Sequence, residues 1–114
     1  MAEKVYVSGS IRDIEQVRKV QNEFIEEGWE IAHDWTQYTG AKFGPEADHE
    51  AKLQLYAVWQ CDVFVLVEHP KLKAGWMELG AAIALDKPIV IQRHPDVNAS
   101  LWYGLPGITF VDRE

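Results

Sequence analysis

The run Asp62-Val63-Phe64-Val65-Leu66-Val67 is apolar after its first residue and rich in β-branched side chains. That is the composition of a strand covered on both faces, and such strands belong to parallel sheets. Parallel neighbours need crossover connections, usually helices. The rest of the chain supplies them in alternation. Lys4-Val5-Tyr6-Val7 is a short strand broken by Ser8-Gly9-Ser10. Over residues 13–27, Ile14, Val17, Val20, Phe24 and Ile25 recur at helical spacing, with Ser10 as a cap and Gly28 as a natural terminator. Residues 29–33 read as a second strand, and 34–45 as a loop long enough to carry function. A helix over 46–60 is expected to turn Leu53, Tyr56 and Trp59 inward. The 62–67 strand, a loop at 69–74 and a helix from Gly75 to Leu85 follow, and Pro88 prevents that helix from continuing. Ile89-Val90-Ile91-Gln92 is a fourth strand, 96–104 a short helix or helical turn, and Ile108-Thr109-Phe110-Val111 a last strand. Right-handed crossovers turn this order into one α/β domain spanning residues 1–114. The expected architecture is a flavodoxin-like three-layer sandwich whose five-stranded parallel sheet has the order 2-1-3-4-5.

Within the helix Gly75-Trp76-Met77-Glu78-Leu79-Gly80-Ala81-Ala82-Ile83-Ala84-Leu85, Glu78 is the one acid. Its partners at i+3, i+4 and i+7 are Ala81, Ala82 and Leu85, which puts the carboxylate on the apolar stripe. A first-turn position would favour its ionised form through the helix dipole, and a bland dipole-complementing role is the competing reading. In the 2-1-3-4-5 order, ligands bind in the crevice between strands one and three. That crevice collects the turn at 8–12, the loop at 69–74 and Glu78. In Ser8-Gly9-Ser10-Ile11-Arg12, the glycine permits close backbone approach, two hydroxyls can donate, and Arg12 offers a fork suited to phosphate. The spacing is neither a Walker loop nor a dinucleotide fingerprint. Taken alone, an ordinary capped turn explains it as well.

The formal charge of −7 argues against a nucleic-acid polymer or an anionic membrane as partner. Locally, a ring of N–H groups and one arginine can still hold a small anion. One cysteine, Cys61, excludes an internal disulfide and reads as a packed thiol. His33, His49, His69 and His94 are scattered without metal-ligand spacing, so neither a metal nor a cofactor is expected. With no signal-peptide pattern and no apolar run long enough to span a bilayer, the expected location is the cytoplasm.

Three segments together resemble the nucleoside 2-deoxyribosyltransferase family: Val5-Tyr6-Val7-Ser8-Gly9-Ser10-Ile11-Arg12, Cys61-Asp62-Val63-Phe64-Val65, and Gly75-Trp76-Met77-Glu78-Leu79-Gly80-Ala81-Ala82 with Lys87-Pro88-Ile89. Within that family the 2′-deoxynucleoside 5′-monophosphate N-glycosidases are most similar. The resemblance implies cleavage or transfer at an N-glycosidic bond of a nucleoside or nucleotide, through a covalent glycosyl intermediate on Glu78. It implies that Tyr6 positions Glu78, and that Gly9 to Arg12, with Ser8 before them, hold a 5′-phosphate. It places Gly75 beside the substrate and Ser100 in a neighbouring subunit's site, which makes the active unit a homodimer or larger. The family aspartate of the helix before strand three corresponds to Gln54, which can bond a base but cannot protonate a leaving group. Asp48, Glu50 and Asp34 are the acids that could substitute. Leu72, between Lys71 and Lys73, stands where the family has a small polar residue.

Two other functions fit the same residues. A catalytically weak relative would bind a nucleotide as a sensor. A structural domain would use its five tryptophans at an oligomer interface.

Overall fold

The computed structural model describes residues 2–98 and 100–113. Strand β1 (Lys4–Ser8) leads through a 3-10 turn (Ile11–Asp13) into helix α1 (Ile14–Glu26). Then come β2 (Glu30–Ile31), a 3-10 turn (Trp35–Gln37), α2 (Pro45–Gln60), β3 (Val63–Val67), α3 (Ala74–Ala84) and β4 (Ile89–Arg93). A 3-10 turn (Leu101–Gly104) and β5 (Ile108–Asp112) complete the order. The sheet runs β2-β1-β3-β4-β5, and every pairing is parallel. The expected three-layer architecture and strand order are therefore the observed ones.

Successive strand residues face opposite sides of a sheet, and here the alternation sorts two cores. Val5, Val7, Val65 and Val67 pack with Val17 and Val20 of α1. Tyr6, Phe64 and Leu66 pack on the other side with Ala57 and Val58 of α2 and Leu79 and Ala82 of α3. By the same parity Ser8, two residues after Tyr6, belongs to the α2–α3 side. Cys61 is buried there, and burial first of all pushes its thiol up, as expected for a packed cysteine.

Several local expectations are corrected. β2 is only Glu30–Ile31, an edge strand paired to β1 over two residues. The helical turn expected within 96–104 is the 3-10 turn Leu101–Gly104 and needs no correction. In α2 the expected inward set is reversed: Tyr56 and Trp59 are 55% and 57% exposed, and Leu53 is 37% exposed. The buried residues of α2 are Glu50, Ala57 and Val58. These lie at i, i+7 and i+8 of one helical stripe. Its apolar residues are spread around the helix, so hydrophobicity alone does not identify the inward face. Lys87, after α3, donates to the Cys61 carbonyl at 2.8 Å and to the Trp59 carbonyl, which caps the C-terminal end of α2. Among the described residues no helix is long and apolar enough to cross a membrane.

Close approach of α1 to the β1 turn requires Gly9, since a Cβ there would lie 2.5 Å from Val17 Cγ2. Val17 is wholly buried and stiff at χ1, so it has little room to move. Gly9→Ala should lower the unfolding free energy by about 1–3 kcal/mol. Urea denaturation reads the change, and an unaltered midpoint would show that α1 can retreat at no cost.

Candidate active site

β1 and α3 build the floor of the site. The Tyr6 hydroxyl donates to Glu78 Oε2 at 2.7 Å, and the Ser8 hydroxyl donates to Glu78 Oε1 at 2.7 Å. Strand parity supplies both donors on one face, and the helical stripe of α3 supplies the acceptor. Glu78 is not a first-turn acid: α3 begins at Ala74, and its first turn holds no acidic residue. The two hydroxyls, rather than the helix dipole, hold the carboxylate. Burial pushes Glu78 above the ordinary glutamate range, while hydrogen bonds from Ser8 and Tyr6 and the proximity of His33 pull it back partway. Burial, followed by the charge of Glu78, lifts the Tyr6 phenol well above its usual range, so it stays a donor. Gly75 lies under this arrangement. A Cβ on it would meet Leu72 Cδ1 at 2.6 Å and the Ser8 hydroxyl oxygen at 3.1 Å. The missing side chain at Gly75 thus leaves room for Leu72 and for the Ser8 hydroxyl that bonds Glu78.

Above the floor lies a cavity of about 730 Å³, walled by the turn from Gly9 to Arg12, by α2, by the loop around Trp35, Tyr38 and Lys42, and by Lys71 and Lys73. Of the expected ligand residues, Gly9, Ser10, Ile11, Arg12 and Gln54 line it together with Glu78. Tyr6, Ser8 and Gly75 are buried and do not line it, and of these Tyr6 and Ser8 bond Glu78. Ser10 also accepts from the Arg12 N–H at 3.1 Å, capping the 3-10 turn. Four cations line the cavity (Arg12, Lys42, Lys71 and Lys73), and none has an ion-pair partner among the described residues. Only Glu50 and Glu78 oppose them. A chain of net charge −7 therefore concentrates positive charge at this one mouth.

The loop wall is anchored rather than loose. Trp35 Nε1 donates to the Val7 carbonyl at 2.7 Å, and Arg18 of α1 donates to Thr36 Oγ1 and to the Thr36 carbonyl at 3.2 and 3.1 Å. Burial pushes Asp34 up, but hydrogen bonds from Thr36 and Gln21 more than offset it and hold the carboxyl below its ordinary range. On α2, Glu50 Oε2 lies 2.9 Å from His33 Nε2 and accepts from Gln54 Nε2 at 2.9 Å. Scattered histidines hid the role of His33, because its partner lies in the next helix. The i, i+4 spacing of Glu50 and Gln54 was the signal available in the sequence.

Ser100 lies off this cavity within one protomer. It is exposed, and its hydroxyl oxygen accepts from the Trp102 N–H at 3.2 Å. A further carboxylate, Glu68, follows β3 and is fully buried. Arg93 Nε and the His94 N–H reach it at 2.8 and 2.9 Å, and the Tyr103 hydroxyl also donates to it. Glu68 itself is sealed, and none of this cluster lines the cavity over Glu78. No group of three His, Cys, Asp or Glu side chains that could hold a metal ion occurs among the described residues.

The carboxyl of Glu78 should titrate above the 4.5 of a free glutamate, and Tyr6→Phe should raise it further by removing a donor to the charged form. The sign for stability follows. A folded-state value above the unfolded one gives a contribution that is complete below 4.5 and lost as pH rises through the folded value. Carboxyl-resonance NMR across a pH series measures both variants, and a lower value in Tyr6→Phe would contradict the hydrogen-bond geometry.

No protein-family model matches the sequence, and no curated protein matches it. Among solved structures, the chain is similar to the Clostridium botulinum CMP N-glycosidase BcmB, with a TM-score of 0.73 and 16% identity over 97% of this chain and 89% of that one. At that identity, what the two chains share is the fold.

Proposed function

We propose that the protein cleaves, or transfers across, the N-glycosidic bond of a nucleoside 5′-monophosphate or nucleoside, with Glu78 as nucleophile. One observation carries this reading: a carboxylate held by two hydroxyl donors, 2.7 Å on each oxygen, at the floor of a cavity rimmed by four cations without ion-pair partners among the described residues. Each Glu78 oxygen accepts one hydrogen bond and keeps a lone-pair direction for the substrate. Partial desolvation makes the carboxylate a poorer ion and a better nucleophile. It attacks the anomeric carbon as the C–N bond breaks, the retaining logic in which a carboxylate stabilises an oxocarbenium-like centre and becomes covalent. Arg12 and the turn from Gly9 to Arg12 are suited to the 5′-phosphate, with Lys71 and Lys73 nearby to compensate charge. The fold shared with a CMP N-glycosidase supports the same class of reaction.

Ser100 points to a second copy, because one protomer leaves it off the cavity. Tyr56 and Trp59 on α2, with Met77 of α3 at 74% exposure, give a large apolar surface for that copy. Sedimentation velocity should find a dimer, and Trp59→Glu should shift it toward monomer.

Incubating the protein with a mixture of deoxynucleotides and ribonucleotides should release free base, read by chromatography. Glu78→Gln should slow that release by at least about 10³-fold, as removal of a covalent nucleophile does. Base release at the wild-type rate by Glu78→Gln would end the proposal. Tight nucleotide binding without product would instead select the sensor reading.

A further inference from the structure

Breaking a C–N bond places an electron pair on the departing base, and that pair needs a proton. The floor of the site has none to give. Glu78 must be ionised to attack, and the Tyr6 and Ser8 protons are directed at Glu78 itself. Gln54 lines the cavity but has no acidic proton. Among nearby acids, Asp34 is tied to Thr36 and Gln21 and does not line the cavity. Asp48 is exposed and also lies off it. Glu50 differs from both. It is 9% exposed and lines the cavity with Glu78. Its Oε2 is fixed by His33 and Gln54, each at 2.9 Å, and its Oε1 has no hydrogen-bond partner among the described residues.

Resting on the glycosidic reading above, the geometry points to Glu50 as the proton donor to the leaving base. In its acid form Glu50 gives the Oε1 proton to the base nitrogen as Glu78 bonds the anomeric carbon. The products of that step are free base, Glu50 carboxylate and glycosyl-Glu78. Water then attacks the anomeric carbon and loses a proton to Glu50, which frees the sugar phosphate and restores both carboxyl groups. His33 and Gln54 hold one oxygen so that the other faces the ligand. The acid thus sits one helical turn before Gln54, on the same stripe of α2.

Two leaving groups test this in the full-length protein. One is the base of a nucleotide that the protein cleaves; the other is fluoride on the 1-fluoride of the same sugar 5-phosphate, which departs without a proton. First-turnover release is read by rapid quench. Glu50→Gln, which keeps the size of the side chain, should slow base release by about 10²- to 10⁴-fold. Fluoride release in the same variant should stay within about threefold of wild type, the mark of a lost proton donor rather than a damaged fold. Equal slowing of both, or of neither, would overturn the role of Glu50 and leave the role of Glu78 standing. Undiminished release of both from Glu78→Gln would overturn the glycosidic reading, and this inference with it.

Discussion

Everything in the site follows from one contact: a helix carboxylate between two hydroxyls delivered by alternate residues of the first strand. Tyr6 and Ser8 share a face because strands repeat every two residues. Glu78 reaches them because α3 lays its apolar stripe on that face. A buried carboxylate without donors would cost several kcal/mol or remain protonated. With them it can be ionised and still partly desolvated, the condition a carboxylate nucleophile needs. Gly75, Leu72 and Gly9 are explained by the same contact or by the helix packing beside it, since each controls how closely an element approaches β1.

Much of this was legible in the residues. Continuous apolar runs at 63–67 and 89–91 disclosed a parallel sheet, and the alternation with helical periods fixed its order. The spacing of Glu78 to Ala81 and Ala82 marked the acid as inward. What hid was tertiary. The inward face of α2 carries Glu50 and Gln54 because it walls a polar cavity, so hydrophobic periodicity pointed to Leu53, Tyr56 and Trp59 instead. His33 gains its meaning only from Glu50, seventeen positions later and in another element. The true start of α3 at Ala74 moved Glu78 out of the first turn, a one-residue matter that sequence patterns resolve poorly.

Charge is distributed against the average. The chain is acidic overall, yet four cations without partners among the described residues gather where Glu78 is reached. Three cations elsewhere are bound internally: Arg93 to Glu68, Arg113 to Asp13 and Lys87 to the carbonyls closing α2. On a chain that is acidic overall, such a local cluster draws a small anion to the cavity more readily than an extended polyanion to the whole surface.

The Glu68 cluster gives the sheet edge a direction. Beyond β3, Arg93, the His94 N–H and Tyr103 bond this carboxylate and bury it, while Arg93 and His94 themselves line a separate pocket of about 340 Å³ at the β4–β5 edge. Of two acids beside neighbouring strands, one is locked shut and the other left reachable. The cavity over Glu78 accordingly lies along the β1 flank, between the turn after that strand and α2.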